Sequence, residues 1–160
     1  MMSTPTRDKS VDIRLKVCAI ARTWLRTPYH HMGRVRGAGV DCAMFPLEVY
    51  REAGLMPAID VPYYPIDWHL HRSEEIYLGI VLKYARELQG TGDREQGTVK
   101  PERGDFVLYK HGRCWAHGAI VLEWPLMIHS VMGLGVILAD GERDGQVLGR
   151  KRRFFTLFPE

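Results

Sequence analysis

The stretch "DFVLYKHGRCWAHGAIVLEWPLMIHSVMGLGVILA", residues 105–139, decides the fold. Apolar residues alternate with others at a period of two, the spacing of strands with a buried face. Turn residues divide it into strands over 105–109, 115–123, 125–131 and 135–139, and "RFFTLF" (153–158) adds another. Upstream the period changes. Val11, Leu15, Cys18 and Ala19, with Ile13, Val17, Ile20 and Trp24, recur at steps of three and four. They predict a helix capped by Ser10 and ended before Pro28. A second helix is expected from Asp41 to Glu52, with Phe45, Val49 and Tyr50 or Ala53 inward and Gly54 as its stop. A third starts at Ser73, carries Ile76, Ile80, Val81, Tyr84, Ala85 and Leu88 on one face, and closes at Gly90. Residues 30–40, 55–71 and 91–104 read as loops. Helices first and strands second predict an α+β fold, with N-terminal helices packed on a C-terminal antiparallel sheet of about five strands. Residues 1–9 are expected to be a flexible N-terminus and 10–160 a single domain.

Composition narrows the function classes. Net charge is +3 and the pI near 8.8, which lacks the dense basic stripe of a nucleic-acid binder. The one basic run, "GRKRRFF" (149–155), is expected to guard a solvated strand edge. Cys18, Cys42 and Cys114 are odd in number and widely spaced, which argues against a disulfide framework and a zinc knuckle. No apolar run is long enough to span a bilayer, so no membrane anchor is expected. "MMSTPTRDKS" lacks the apolar core of a secretory signal, so the chain is expected to be made in the cytoplasm.

The candidate chemistry begins at "GVDCAMFPLEVYREAG" (39–54). Cys42 stands where a helix starts, and unpaired helix-end N–H groups together with a nearby imidazolium can bring a thiol pKa to roughly 3.5–7.5. A buried structural cysteine would occupy the same place. Pro46 lies four residues on and cannot donate to the Cys42 carbonyl, so a distorted first turn is expected, with the helix kept. A nucleophilic thiol needs a base. Among seven histidines, His117 and His129 alone fall on predicted strands among apolar neighbours. In an antiparallel hairpin opposed residues have a constant index sum. A sum of 246 would pair the two histidines directly, an odd sum would put them on opposite faces, and a shared face would allow a nucleophile, a base and an orienting group.

The residues also resemble a known family. "RTPYHHMGRVRGAGVDCAMFPLEVYREAG" is similar to the NlpC/P60 cysteine peptidases, whose hallmark is G-T-P-Y, then W-G-G, then D-C-S-G opening a helix. "KPERGDFVLY" and "WAHGAIVLEWPLMIHS" look like that family's K-P-G-D-L-V-F-F segment and its paired histidine strands, and the likeness runs from about 11 to 158. The resemblance implies a papain-like core and cleavage of amide bonds in peptidoglycan stem peptides, commonly after D-glutamate. Cys42 would be the nucleophile, His117 the base and His129 the polar third member. Tyr29 would position substrate or oxyanion, Asp41 would sit at the substrate's amine side, and no metal or other cofactor is implied. The segment "PIDWHLHRSEEIYLGIVLKYAREL" looks like a phage-encoded branch found among tail genes, which implies a virion component acting at the cell wall beside other tail proteins.

The chain departs from the family pattern where relatives grip substrate. The serine after the cysteine is Ala43, the next glycine is Met44, and only Gly33 survives of W-G-G. Other classes remain open: a catalytically silent tail-tip or wall-binding module, a thiol acyltransferase, and a zinc enzyme built on His69 and His71.

Overall fold

The computed structural model describes residues 6–71, 73–89 and 99–160. Its helices are α1 (Thr6–Thr23), α2 (Met44–Glu52), α3 (Trp68–His71) and α4 (Ile76–Tyr84). Its strands are β1 (Arg34–Val35), β2 (Gly39–Val40), β3 (Arg86–Glu87), β4 (Phe106–His111), β5 (Cys114–Glu123), β6 (Leu126–Val131), β7 (Gly135–Asp140) and β8 (Arg152–Thr156). β1 and β2 form a small ribbon, and the rest form one six-stranded sheet in the order β3-β8-β4-β5-β6-β7, antiparallel at every pairing. The architecture is α+β, as expected, with one strand more than expected.

Alternation along the strands builds two cores. Phe106, Leu108, Ile120, Leu122, Ile128 and Phe155 face the helices and pack with Val17, Trp24, Phe45 and Val49. Val107, Tyr109, Ala119, Val121, Met127 and Phe154 face the other way and meet Val147 from the segment after β7. α2 is buried along its length from Met44 to Tyr50, because it crosses the helix-side core.

Several boundaries differ from expectation. α1 already includes residues 6–9, so Ser10 lies inside the helix; the expectation for residues 1–5 lies outside the described residues. Its apolar packing lies toward the C-terminal end: Val17 and Ala21 are buried, whereas Val11, Ile13 and Leu15 are exposed. α4 ends at Tyr84, because Arg86 and Glu87 pair with Thr156 and Phe155. Gly90 and most of the 91–104 loop lie outside the described residues. The proline-rich 55–71 segment holds a short helix, α3. The basic run does not guard an edge, since β8 lies between β3 and β4. Its arginines are engaged instead: Arg153 pairs with Glu87 (2.6 and 2.8 Å) and Arg152 lies over the Trp124 ring.

The hairpin register decides where the histidines go. Trp124 and Pro125 form a two-residue turn, with Glu123 opposite Leu126 and an odd index sum there. The register then shifts, and Val121 faces Met127 and Ile120 faces Ile128. The one residue skipped, Leu122, is a bulge that restores an even sum and moves His117 and His129 to the same face. They are offset diagonally, because their own index sum is 246 and the register beyond the bulge has a sum of 248.

Candidate active site

The site is built from the start of α2 and the parting of β5 and β6. Asp41 caps the helix: its Oδ1 accepts from the N–H groups of Ala43 (3.0 Å) and Met44 (2.8 Å). Its Oδ2 accepts from the Met32 N–H (2.8 Å) and from the Tyr64 hydroxyl. Asp41 is 1% exposed. The sequence reading put Asp41 at the substrate's amine side; its carboxylate is instead filled by four protein donors and ties both flanking loops to the helix start. Ala43 is half-buried and packs against the helix-side core.

The Phe45 N–H reaches the Asp41 carbonyl (3.1 Å), so helical bonding starts at the cysteine although regular helix begins at Met44. Pro46 leaves the Cys42 carbonyl without its usual donor. The Tyr77 hydroxyl of α4 supplies one instead, at 2.9 Å. Gly118 makes room for this: a Cβ there would lie 2.1 Å from the Tyr77 hydroxyl and 2.4 Å from the Phe106 ring. We therefore expect Tyr77→Phe to destabilise the protein by about 1–2 kcal/mol. Measured by denaturant unfolding, that loss should shrink in a Pro46→Ala background, where residue 46 regains its N–H. An equal loss in both backgrounds would show that the two donors do not substitute for one another.

The thiol meets β5 where that strand has lost β6. Val121 turns its N–H and carbonyl to the β4 side, so Gly118 turns its own toward β6, yet pairing with β6 begins only at Ile120. The Cys42 Sγ lies 3.6 Å from the Ala116 carbonyl, to which it donates, and the Gly118 N–H points at the sulfur. His117 stands between these two residues. Its Nε2 is 2.8 Å from the His129 Nδ1, and the rings meet edge-on at 5.0 Å. Nδ1 of His117 makes no hydrogen bond among the described residues. With Nε2–H donating to His129, Nδ1 is the basic nitrogen. No hydrogen bond joins Sγ to the His117 ring among the described residues; the structure brings them to the same turn of β5 without bonding them. Tyr29 pairs with Val40, two residues before Cys42, and its hydroxyl has no hydrogen-bond partner among the described residues.

Charges around the site follow burial. Burial first, then the Asp41 carboxylate, pushes the Cys42 thiol up; N–H groups of Gly118 and Cys42 itself act the other way. A lowered thiol pKa was expected at a helix start; here the cap carboxylate cancels the positive helix end and burial wins. Burial, then the neighbouring His129, His111 and Arg150, hold His117 well below the ordinary imidazole value. Burial holds His129 down at about 4, against the Asp144 charge. Burial, then the Cys42 and Asp41 charges, raise the Tyr29 phenol. The thiol and the imidazole are therefore both neutral at rest.

The comparisons agree with this arrangement at the level of fold. No family model and no curated protein matches the chain. Solved structures do. The NlpC/P60 domain of the peptidoglycan hydrolase SagA is 17% identical, with a TM-score of 0.55 over 88% of this chain and 96% of that one. The P60 domain of a Mycobacterium avium paratuberculosis antigen is 16% identical, with a TM-score of 0.56 over 94% of this chain and 97% of that one. The peptidoglycan hydrolase RipB of Mycobacterium tuberculosis is 15% identical, with a TM-score of 0.58 over 99% of this chain and 74% of that one. The chain has the NlpC/P60 fold.

Within that fold, three site residues escaped the sequence reading. Tyr64, from the proline-rich segment, and Tyr77, from α4, bind Asp41 and Cys42, and nothing in a one-dimensional pattern announces either contact. His111 is the third: its ring lies 5.3 Å from that of His117, and the alternation that aligned His117 with His129 would have found it had β4 been extended to residue 111. His69 and His71 do not converge. His69 turns toward His111, and His71 pairs with Asp67 (3.2 Å). No cluster of three or more metal-ligating side chains occurs among the described residues.

Proposed function

We propose that the chain is a cysteine peptidase that hydrolyses amide bonds in peptidoglycan stem peptides. One observation carries the reading: a half-buried thiol at a helix start faces the strand of an imidazole whose far nitrogen is held, at 2.8 Å, by a second buried imidazole. That is the arrangement of nucleophile, base and orienting group. Cys42 Sγ attacks the scissile carbonyl as its proton passes to His117 Nδ1. His117 then protonates the leaving amine, and water hydrolyses the thioester, returning the thiol. The Cys42 N–H, directed at its own sulfur at rest, and the Tyr29 hydroxyl are the donors for the oxyanion, each worth about 2.7–4 kcal/mol of barrier.

The peptidoglycan hydrolases with this fold support the substrate class. The likeness of the 65–88 segment to phage tail members supports a tail-associated enzyme that opens the wall locally, with the bond after D-glutamate as target. Purified muropeptides should yield products split at a stem-peptide amide, read by mass spectrometry. Unchanged muropeptides under reducing conditions would end this reading.

One observation favours a second reading, thiol acyl transfer. An apolar groove is lined by Ala43, the residue after the cysteine, with Leu47, Met56, Tyr77, Val81 and Phe106. Transfer of an acyl group to an amine, with no free acid released, would mark that chemistry.

A further inference from the structure

His31 stands at the cap of α2, outside the thiol–imidazole pair. Its Nε2 lies 2.8 Å from the Tyr64 carbonyl. A carbonyl only accepts, so Nε2 carries the hydrogen and Nδ1 of the neutral ring is a lone pair. That lone pair lies 3.9 Å from Asp41 Oδ2. The Asp41 carboxylate takes donors from Met32, Ala43, Met44 and Tyr64 and gives none, so it is the charged, acceptor-only form. Two acceptors therefore face one another while the ring is neutral. A proton at Nδ1 turns the same contact into an ion pair.

The ring is held where it stands. Tyr63 and Tyr64 meet it edge-on, with ring centroids 6.3 and 5.1 Å away. Its side chain is 24% exposed, so protons reach it from solvent, whereas that of Asp41 is 2% exposed. The next residue is strained: Met32 holds φ at 59°, a region that residues with side chains seldom enter, and its N–H is one of the donors on Asp41. The charged and titratable groups facing His31 come from three segments. The helix start gives Asp41, the segment before α3 gives Tyr63 and Tyr64, and its own turn gives His30, whose Nδ1 lies 3.0 Å from the His31 carbonyl. Arg34, on β1, is taken by Glu48 at 2.7 Å.

We infer that His31 is a proton-operated positioning residue: its imidazolium pairs with Asp41, offsets the carboxylate's charge beside Cys42, and makes the thiol more reactive as the pH falls. The sign follows from the cap. After burial, the Asp41 charge is what holds the proton on the Cys42 sulfur, and a positive ring facing that carboxylate weakens the hold. Imidazole is the side chain whose charge changes between about pH 5 and 8. His31 acts through Asp41, and its role rests on Cys42 being the nucleophile of the proposed hydrolase.

The test compares wild type with His31→Gln, which keeps a donor for the Tyr64 carbonyl but takes up no proton. Iodoacetamide alkylation of Cys42 is followed by peptide mass spectrometry at about pH 8 and about pH 5.5, on either side of the imidazole range. A purely structural loss lowers the variant's rate equally at both, and cancels in the ratio of wild type to variant. That ratio should rise at least about threefold on going to the lower pH, as the offset of one neighbouring charge implies. Imidazole nitrogen NMR on wild type gives a second reading that needs no variant: at the higher pH, His31 should carry its hydrogen on Nε2. A smaller rise, a constant or falling ratio, or the hydrogen on Nδ1 would overturn the inference. Hydrolysis is scored separately: muropeptides left uncut end the hydrolase reading, while the alkylation ratio, which needs no substrate, still decides the role of His31.

Discussion

Cys42→Ala lowers muropeptide hydrolysis by roughly 10⁵-fold or more, the scale on which enzymes lose rate when a covalent nucleophile is removed. The expectation follows from what the sulfur does in the structure. Its contacts are weak, 3.6 Å to the Ala116 carbonyl and the N–H groups of Gly118 and of Cys42 itself, so little folding energy depends on it. The helix start is held by other groups, chiefly Asp41 through Ala43 and Met44, and by Tyr77 on the Cys42 carbonyl. The variant should therefore unfold at nearly the wild-type denaturant concentration while losing turnover. Hydrolysis within about tenfold of wild type would place the chemistry elsewhere, since no route without the thiol could sustain it.

His117→Gln has the next largest effect, a loss of roughly 10²–10⁴-fold in turnover, the usual worth of a positioned general base. Glutamine keeps a polar group near His129 but cannot take the thiol proton. The pH profile carries a second signature. Burial and neighbouring positive charge depress the His117 pKa, so the ring stays neutral, and able to accept a proton, as pH falls below the ordinary value of 6.5. The acid limb of wild-type activity should accordingly fall below pH 6.5, and a midpoint at or above it would contradict a buried, neutral base. The same depression makes protonation costly in the folded state, so stability too is retained above pH 6.5 and lost as the pH falls toward the folded value.

Much of this was legible in the chain because it depends on local periodicity. The alternation over residues 105–139 marked four strands of the sheet and set His117 and His129 apart from the other histidines. The helix-start position of Cys42 was readable from its glycines and the aspartate before it. What could not be read depended on contacts distant in sequence. The two-residue turn at Trp124–Pro125 alone implies that the histidines part; the bulge at Leu122, a matter of packing on both faces, reverses that. Asp41 looked like a group for substrate, yet four donors from three segments occupy it. The thiol pKa was expected to fall with the helix end, and burial with the Asp41 charge drives it up, because both arise only when α2 docks against the sheet. β3 is invisible in one dimension, since Arg86 and Glu87 become a strand only through β8.

The central claim is that Cys42 and His117 act as one proton-sharing unit. Iodoacetamide alkylation at pH 7, followed residue by residue through peptide mass spectrometry, tests it most directly. Cys18 and Cys114 are 8% and 0% exposed, and their thiols are raised chiefly by burial, so they serve as internal controls. Cys42 should be the residue modified, at least about tenfold faster in wild type than in His117→Gln, because the imidazole takes the proton that the reaction must remove. Equal Cys42 rates in the two proteins would contradict the account.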